Sequence, residues 1–345
     1  MKGFLKRLSP FAPDNSGVVS ALFEFGGLIA ICDAGGCTGN VCGFDEPRWF
    51  TMRSAVFSTG MRDMDAILGR DKLLVDKIVS AQESVKAPFA VLVGTPVPAV
   101  IATDFKALRR MTEKRTDVPV LTVESTGVNY YDKGASKALE MLFDTFAVEK
   151  FPVEPETTGV LGVTPLDFSS CRAGEYISNS LQGNVKVYGM GAGLDDVIKS
   201  SRCACNIAVS PCGVAAAKLL EKRFGTPWKM MCPWIPESVT GELPSLAGKR
   251  VIVLHQHFAG LALREQLLEK GAAEVAVASY FMMEKSLLQP CDRQLKEEDD
   301  LAAMVREFNA DAVIADRNFK KVLSGFNGLF IDYPHFAVSG RLLEK

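Results

Sequence analysis

Eight short apolar runs set the fold of this 345-residue chain. They are rich in Val, Ile and Ala and do not alternate with polar residues, which is typical of parallel strands buried on both faces. The runs cover residues 27–32, 89–94, 118–124, 159–164, 205–210, 250–255, 274–280 and 311–316. Amphipathic segments such as 71–86 and 214–224 lie between them. Strand and helix alternating in this way predict βαβ units and doubly wound, Rossmann-like sheets.

Two stretches rich in Pro divide this pattern. Residues 150–158 (KFPVEPETT) and 233–248 (PWIPESVTGELPSLAG) each precede a new strand. We therefore predict three α/β lobes, over residues 1–150, 151–240 and 241–345. No lobe carries a GxGxxG turn after its first strand, and the chain has no Walker A motif, so we expect it to bind no nucleotide itself.

Charge and hydropathy exclude several classes of protein. The net charge is −2 and no long Lys/Arg run occurs, which argues against a nucleic-acid partner. No apolar run reaches the roughly 20 residues of a bilayer span, and the N-terminal stretch lacks the apolar core of a secretory signal. We expect a cytoplasmic protein with no membrane partner, in which clustered cysteines are metal ligands or redox groups rather than disulfides.

The stretch ICDAGGCTGNVCGFDE, residues 31–46, follows the first apolar run and spaces Cys32, Cys37 and Cys42 five residues apart. An iron–sulfur cluster needs converging thiolates, and the glycines between these cysteines let the chain curl and turn its N–H groups toward inorganic sulfide. The pattern predicts Cys37 and Cys42 as cluster ligands. Cys32 is either a third ligand or a small apolar residue that ends a buried strand.

A second set of candidate residues lies in the other lobes. Cys212 follows a strand at its carboxyl end, where doubly wound sheets place their ligands. His255 and His257 follow another strand, and His335 lies in a later loop of the third lobe. Two interpretations stay open for these four residues: a substrate or second metal site, or ordinary packing. Cys203 and Cys205 form a group with Cys212, and they either belong to that site or are simply buried. The remaining cysteines are interpreted as packing or surface residues: Cys171, Cys232 and Cys291.

Several segments, in order along most of the chain, resemble the nitrogenase component 1 family. That family includes nitrogenase subunits, dark-operative protochlorophyllide reductase and the nitrogenase cofactor-assembly scaffold. Cys37 in its Gly-flanked turn matches the family's cluster cysteine. The segments 58–69 (STGMRDMDAILG) and 220–228 (LEKRFGTPW) match two further family segments. The matching positions in them are Ser58, Thr59, Asp65, Gly69, Glu221, Lys222, Gly225, Pro227 and Trp228.

The resemblance implies a three-lobed oxidoreductase subunit that pairs with itself or with a sister subunit. A 4Fe–4S cluster would lie near the interface, and an ATP-dependent iron–sulfur reductase would deliver electrons to it singly. A substrate or second metal centre would lie between the lobes. Cys212 and His335 lie near the positions where the catalytic nitrogenase subunit has its cofactor Cys and His.

The chain departs from the family at two cluster positions. Thr95 stands where the family has a cysteine before proline, and residues 13–16 contain no cysteine, with Asp14 the nearest alternative ligand. A cubane usually needs four protein ligands. Counting ligands therefore favours a dimer that shares one cluster across a two-fold axis.

Three functions remain open from the sequence. The first is a nitrogenase-like iron–sulfur oxidoreductase component that reduces a substrate between its lobes. The second is a non-catalytic scaffold for assembly of a metal cluster or tetrapyrrole cofactor. The third is a metal-free binding protein, because doubly wound lobes with clefts also suit the capture of small ligands.

Overall fold

The structure, a computed structural model, describes residues 5–241 and 243–344. Within these residues the chain forms three parallel β-sheets packed with helices, and each sheet lies within one of the three stretches predicted as lobes. The predicted α/β class with Rossmann-like sheets is confirmed. No helix among the described residues is both long enough and apolar enough to cross a bilayer.

The first sheet has the strand order β2-β1-β3-β4, all parallel. Its strands are β1 (Leu28–Ile31), β2 (Ala55–Ser58), β3 (Ala90–Val93) and β4 (Val120–Val123). The helices of this lobe are α1 (Asp14–Leu22), α2 (Gly36–Asn40), α3 (Asp63–Ile67), α4 (Asp71–Val85), α5 (Pro96–Val100), α6 (Phe105–Thr116) and α7 (Tyr131–Phe146). Alternate residues of β1 face opposite sides: Leu28 and Ala30 pack with α4 and α6, whereas Ile29 and Ile31 pack with α1 and α7. Burial on both faces explains why β1 is continuously apolar.

The second sheet has the order β6-β5-β7-β8 and the third has the order β11-β10-β9-β12-β13. The second contains β5 (Glu154–Leu161), β6 (Asn184–Val187), β7 (Cys203–Ala208) and β8 (Trp228–Met230), with helices α8 (Pro165–Phe168), α9 (Ala173–Asn179), α10 (Leu194–Ile198) and α11 (Val214–Phe224). Helix α12 (Glu237–Thr240) then leads to β9 (Arg250–Leu254), β10 (Glu274–Ser279), β11 (Arg293–Gln294), β12 (Ala312–Ala315) and β13 (Leu329–Asp332), with helices α13 (His257–Glu269), α14 (Glu298–Glu307) and α15 (Phe336–Ser339).

All eight strands predicted from apolar runs are present, with ends shifted by a few residues. The strands that the pattern missed are β2, β6, β8, β11 and β13, and each lies at an edge of its sheet. An edge strand has one neighbour and a more exposed surface, so its sequence can be polar. Strand β11, for example, is the exposed pair Arg293 and Gln294.

The lobes are joined by close packing of the first lobe against the other two. Helices α1 and α7 cross at two glycines: a Cβ on Gly17 would lie 1.8 Å from the carbonyl oxygen of Tyr131, and one on Gly134 would lie 1.8 Å from that of Asp14. The segment before α1 reaches the third lobe, where the Ala12 amide donates to the Ala337 carbonyl oxygen at 2.9 Å. This crossing sets the first residues of α7 at the junction of the three lobes.

Candidate functional site

The cysteine turn, residues 32–46, leaves β1 at the carboxyl edge of the first sheet. Gly35 has φ of 116°, a left-handed conformation that suits glycine, and precedes the short helix α2 and one π-helical turn at Val41–Asp45. The Asp33 carboxylate holds the entrance of the turn, accepting hydrogen bonds from the Thr38 amide at 2.8 Å and the Ser58 hydroxyl at 2.5 Å. The turn is therefore ordered by hydrogen bonds within itself and to the end of β2.

One side of this turn is open. A Cβ added at Gly36, Gly39 or Gly43 would meet no atom within 4 Å. Space in front of a curled, Gly-rich backbone is what a bulky inorganic group requires, since side chains there would exclude it.

The three cysteines of the turn do not share one environment. Cys32 is fully buried and packs with Leu28 and Ala30 against the α4 side of the sheet, and burial raises the pKa of its thiol to about 12. Cys37 and Cys42 are partly exposed, and Cys37 contacts the core on the opposite side of the sheet. The structure thus favours packing for Cys32 and keeps only Cys37 and Cys42 as accessible thiols.

Thr95 lies beside Cys37. Burial and the Asp33 charge raise the pKa of the Cys37 thiol, and a hydrogen bond with the Thr95 side chain acts in the opposite direction. The Thr95 hydroxyl also donates to the Cys32 carbonyl oxygen at 2.7 Å. The position where the resemblance expects a cysteine is therefore next to Cys37, but it is occupied by a hydroxyl that bonds to the main chain.

Burial, with smaller effects from Glu46 and Asp33, also raises the pKa of the Cys42 thiol. Ligation requires thiolates, so metal binding at Cys37 and Cys42 would release protons.

Asp14 does not supply a further ligand. Its buried carboxylate accepts hydrogen bonds from the backbone amides of Gly127 at 2.7 Å, Asn15 at 3.0 Å and Thr126 at 3.1 Å, and from the Asn129 side chain at 3.4 Å. Within residues 5–241 and 243–344, no three His, Cys, Asp or Glu side chains are grouped so that they could hold a metal ion. The cysteine turn of one chain thus offers two accessible thiols, which fits half of a cubane site and not a complete one.

Exposed apolar side chains lie on the loops and short helices that follow β1 to β4, at the same edge of the sheet as the turn. We call them the edge patch: Phe44, Phe50, Met52, Met64, Ile67, Leu68, Val97, Val100, Ile101 and Val128. Val100 and Val128 are each 84% exposed. Phe44 is 74% exposed and Phe50 is 75% exposed. Apolar surface gathered at one edge of a sheet marks an interaction surface.

An open cleft of about 640 Å³ separates the cysteine turn from the third lobe. Phe44 of the turn and Phe50 just after it line one side, and Phe336, Val338 and Leu342 of the C-terminal segment line the other. The oxygen Oδ2 of Asp45, which also borders the cleft, accepts hydrogen bonds from Ser16 at 2.6 Å and Asn40 at 2.7 Å. Gly43, the residue after Cys42, also lines this cleft, whose surface is about equally polar and apolar.

Cys212 and His335 lie at the junction of the three lobes, where two other side chains separate them. The Cys212 thiol is 3.7 Å from Oδ2 of Asp167. The Tyr131 hydroxyl donates to Oδ1 of Asp167 at 2.7 Å and lies 3.4 Å from Nε2 of His335. Phe281 stacks on His335 with ring centroids 4.7 Å apart. The space between Cys212 and His335 is filled, so these residues do not fit a second metal centre.

The other two histidines, His255 and His257, lie in different surroundings. His255 stacks on Tyr333 at 3.8 Å and lies 4.5 Å from the His335 ring, whereas His257 accepts a hydrogen bond from the Glu284 amide at 3.0 Å. Burial lowers the pKa of His255 to about 4 and that of His257 to about 4, and that of His335 well below its ordinary value. The structure does not bring Cys212 and the three histidines around one point.

The junction predicts a specific dependence of stability on pH. Burial raises the pKa of Asp167 from 3.8 to about 7, and hydrogen bonds from Tyr131 and Thr164 act in the opposite direction. The folded state thus binds this proton more tightly than the unfolded state, and stability contributed by neutral Asp167 is lost as pH rises from 3.8 to about 7. The unfolding free energy of Asp167→Asn, relative to that of wild type, should therefore increase as pH rises from 3.8 to about 7 and stay constant above that range. Urea unfolding at each pH measures this difference.

A matched variant checks the assignment to Asp167. Tyr131→Phe removes the donor that favours the carboxylate, so the range of pH dependence should move upward. Parallel stability profiles of wild type and Asp167→Asn between pH 4 and 8 would contradict this account.

Sequence reasoning missed Tyr131, Asp167 and Arg48, all buried polar residues. Asp167 had a local signal: Thr164-Pro-Leu-Asp after a strand is a helix-capping pattern, and the Thr164 hydroxyl does accept from the Asp167 amide at 3.2 Å. The burial of Tyr131 and Arg48 had no local signal, because it depends on contacts with the other lobes: Tyr131 with Asp167 and His335, and Arg48 with Gly189.

The comparisons with known proteins agree with this fold. The family model described as nitrogenase component 1 type oxidoreductase matches residues 17–234. The solved structure titled "Nitrogenase Cp1 at pH 6.5" superimposes with a TM-score of 0.68 at 12% identity, covering 96% of this chain and 87% of that chain. The structure titled "Nitrogenase Cp1 at pH 5" gives 0.65 at 14% identity, covering 99% and 86%. At these identities the two structures establish a shared fold. No curated protein matches the sequence.

Proposed function

The chain belongs to the nitrogenase component 1 type oxidoreductases, and on that premise we propose that it is an iron–sulfur electron-transfer subunit that reduces a substrate bound between its lobes. The observation that carries the proposal is the pair of accessible thiols, Cys37 and Cys42, on a turn with an open glycine-lined side. A 4Fe–4S cluster held there would supply one-electron transfer, and the chain supplies its ligands and surroundings. Thiol ligation of this kind suits the reducing cytoplasm.

Two copies of the chain would complete the ligand set. Each copy contributes Cys37 and Cys42, so a two-fold axis through the site brings four thiols together. The edge patch would then be buried between copies, which excludes water from the cluster. A sister subunit with its own cysteines is the alternative arrangement at the same surface.

Electrons would come from a separate ATP-dependent iron–sulfur reductase, because this sequence has no Walker A motif of its own. The cleft between the cysteine turn and the third lobe is the proposed substrate site. Its lining is mixed: Phe44, Phe50 and Phe336 are among its apolar walls, and polar side chains line the rest. A substrate there would lie against the same turn that carries Cys42.

The packing of the junction between the three lobes bears on where a metal centre can lie. With Tyr131 and Asp167 between Cys212 and His335, we place the proposed metal centre at the cysteine turn and none at this junction. Protons could be held at Asp167, Tyr131 and the nearby histidines, but none of these residues lines the proposed substrate cleft.

The test is anaerobic purification followed by a visible spectrum and assays of iron and sulfide. We expect a coloured protein with about four iron and four sulfide per two chains, whose absorbance bleaches when a matched reductase and ATP are added. A colourless, iron-free protein after anaerobic reconstitution would instead support metal-free ligand binding in the cleft. A cluster that is never reduced by any matched reductase would support a scaffold.

Adding a thiol beside Cys37 should strengthen cluster binding. Thr95→Cys places a third sulfur at the position that already contacts Cys37, so we expect slower iron loss to a chelator, by about tenfold or more for one added thiolate ligand. Thr95→Ser keeps the hydroxyl and is the control. Equal rates of iron loss in the Cys and Ser variants would show that position 95 does not face the cluster.

A further inference from the structure

Arg48 is the largest side chain that the described structure buries completely. Its guanidinium donates to Glu46 Oε1 at 2.7 Å, Glu46 Oε2 at 2.8 Å and Glu24 Oε1 at 2.8 Å. It also donates to the carbonyl oxygens of Ser20 at 2.6 Å and Gly189 at 3.0 Å, and it lies over the Phe23 ring at 4.8 Å. An arginine with its donors used in this way is held in one position.

These hydrogen bonds fasten the end of the cysteine turn to two lobes. Glu46 follows directly on the π-helical turn Val41–Asp45 that contains Cys42, and both of its oxygens are bound by Arg48. Ser20 lies in α1 of the first lobe, whereas Gly189 belongs to the second lobe. Glu24 adds a second link between lobes, because it also accepts from the Gly191 amide at 2.9 Å.

The two ends of the cysteine turn are thus held by different residues. Asp33 and Thr95 hold the part that carries Cys37, through the contacts described above. Arg48 holds the part that carries Cys42. The separation of the two thiols depends on both.

We propose that Arg48 is a positioning residue for Cys42, fixing the end of the cysteine turn against α1 and the second lobe and balancing the carboxylate charges of Glu46 and Glu24 beside the metal site. The identity of the group that Cys42 binds rests on the proposed function. The positioning itself does not, because it follows from contacts within this chain.

The first test is hydrogen exchange in the metal-free full chain. Lysine at position 48 keeps the charge but cannot make the forked contacts, so Arg48→Lys should lower the protection of the amides of residues 41–46 by about tenfold. Arg264→Lys is the matched control, since Arg264 is another buried arginine, bonded to Asp292 at 2.8 Å in the third lobe. Unchanged protection of 41–46 in Arg48→Lys, or an equal loss in Arg264→Lys, would overturn the proposal.

The second test is the reduction potential of the anaerobically reconstituted protein. Removing the positive charge in Arg48→Gln should shift the potential downward, and removing a negative charge in the milder Glu24→Gln should shift it upward. If Arg48→Gln does not fold, Arg48→Lys and Glu24→Gln carry the test. An unshifted potential in Glu24→Gln would overturn the charge-balancing role of Arg48, just as unchanged exchange in Arg48→Lys would overturn its positioning role. If wild type takes up no cluster, the proposed function fails while the exchange experiment still decides the role of Arg48.

Discussion

Replacing Cys37 or Cys42 with alanine should remove most of the bound iron while leaving the protein folded. Both thiols are partly exposed on a turn, so each substitution should change the free energy of unfolding by less than about 1 kcal/mol. In a shared site each substitution removes two of four ligands at once, because both copies carry it. The measurement is iron per chain after anaerobic reconstitution, with urea unfolding of the metal-free protein beside it.

Cys32→Ala is the control: it should lower the stability of the protein but leave its iron content unchanged. Its thiol is fully buried among apolar side chains, so the substitution leaves a small cavity that should cost about 1–2 kcal/mol of unfolding free energy. Iron content should stay near wild type. Full iron retention in both the Cys37 and Cys42 variants, or iron loss in Cys32→Ala, would remove the proposed ligand pair.

Placing a charge in the edge patch should separate the dimer and release its iron. Val100 and Val128 are the most exposed apolar residues of the patch; Val100 ends α5, which follows β3, and Val128 lies on the loop after β4. Burying an aspartate there without a partner is costly, so Val100→Asp should weaken dimerisation by at least about tenfold, or 1.4 kcal/mol. Sedimentation at several protein concentrations measures the dissociation constant, and iron is assayed in each fraction.

Val148→Asp provides the matched control. Val148 is 63% exposed on the loop between α7 and β5, outside the edge patch. It should leave both the dimer and the iron unchanged. Loss of the dimer in Val148→Asp, or a dimer that persists unchanged in both Val100→Asp and Val128→Asp, would show that the interface lies elsewhere.

The sequence predicted the fold well where burial determines residue type. Strands such as β1 and β9 are covered on both faces, so their apolar runs identify them without tertiary information. Strands β2 and β13 are partly exposed at sheet edges, and no apolar run predicted them. Helices α4 and α11 were found because their apolar positions recur at helical spacing.

The candidate site was predictable only where it is local in sequence. The spacing of glycines around Cys37 and Cys42 is visible in one stretch, and the structure leaves these two thiols accessible there. The sequence left open whether the Cys32 side chain faces the core or the turn. In the structure it packs on the α4 side of the first sheet. The contacts of Arg48 with Gly189 and of Tyr131 with His335 join residues 141 and 204 positions apart, so no local pattern could reveal them.

The most direct test of a cluster shared between two chains is anaerobic sedimentation with iron quantified in the same fractions. The account predicts a dimer that contains about four iron atoms per two chains, and iron-free fractions wherever the chain is monomeric. A monomer that carries a complete cluster would contradict it, because a single chain would then have to supply every ligand.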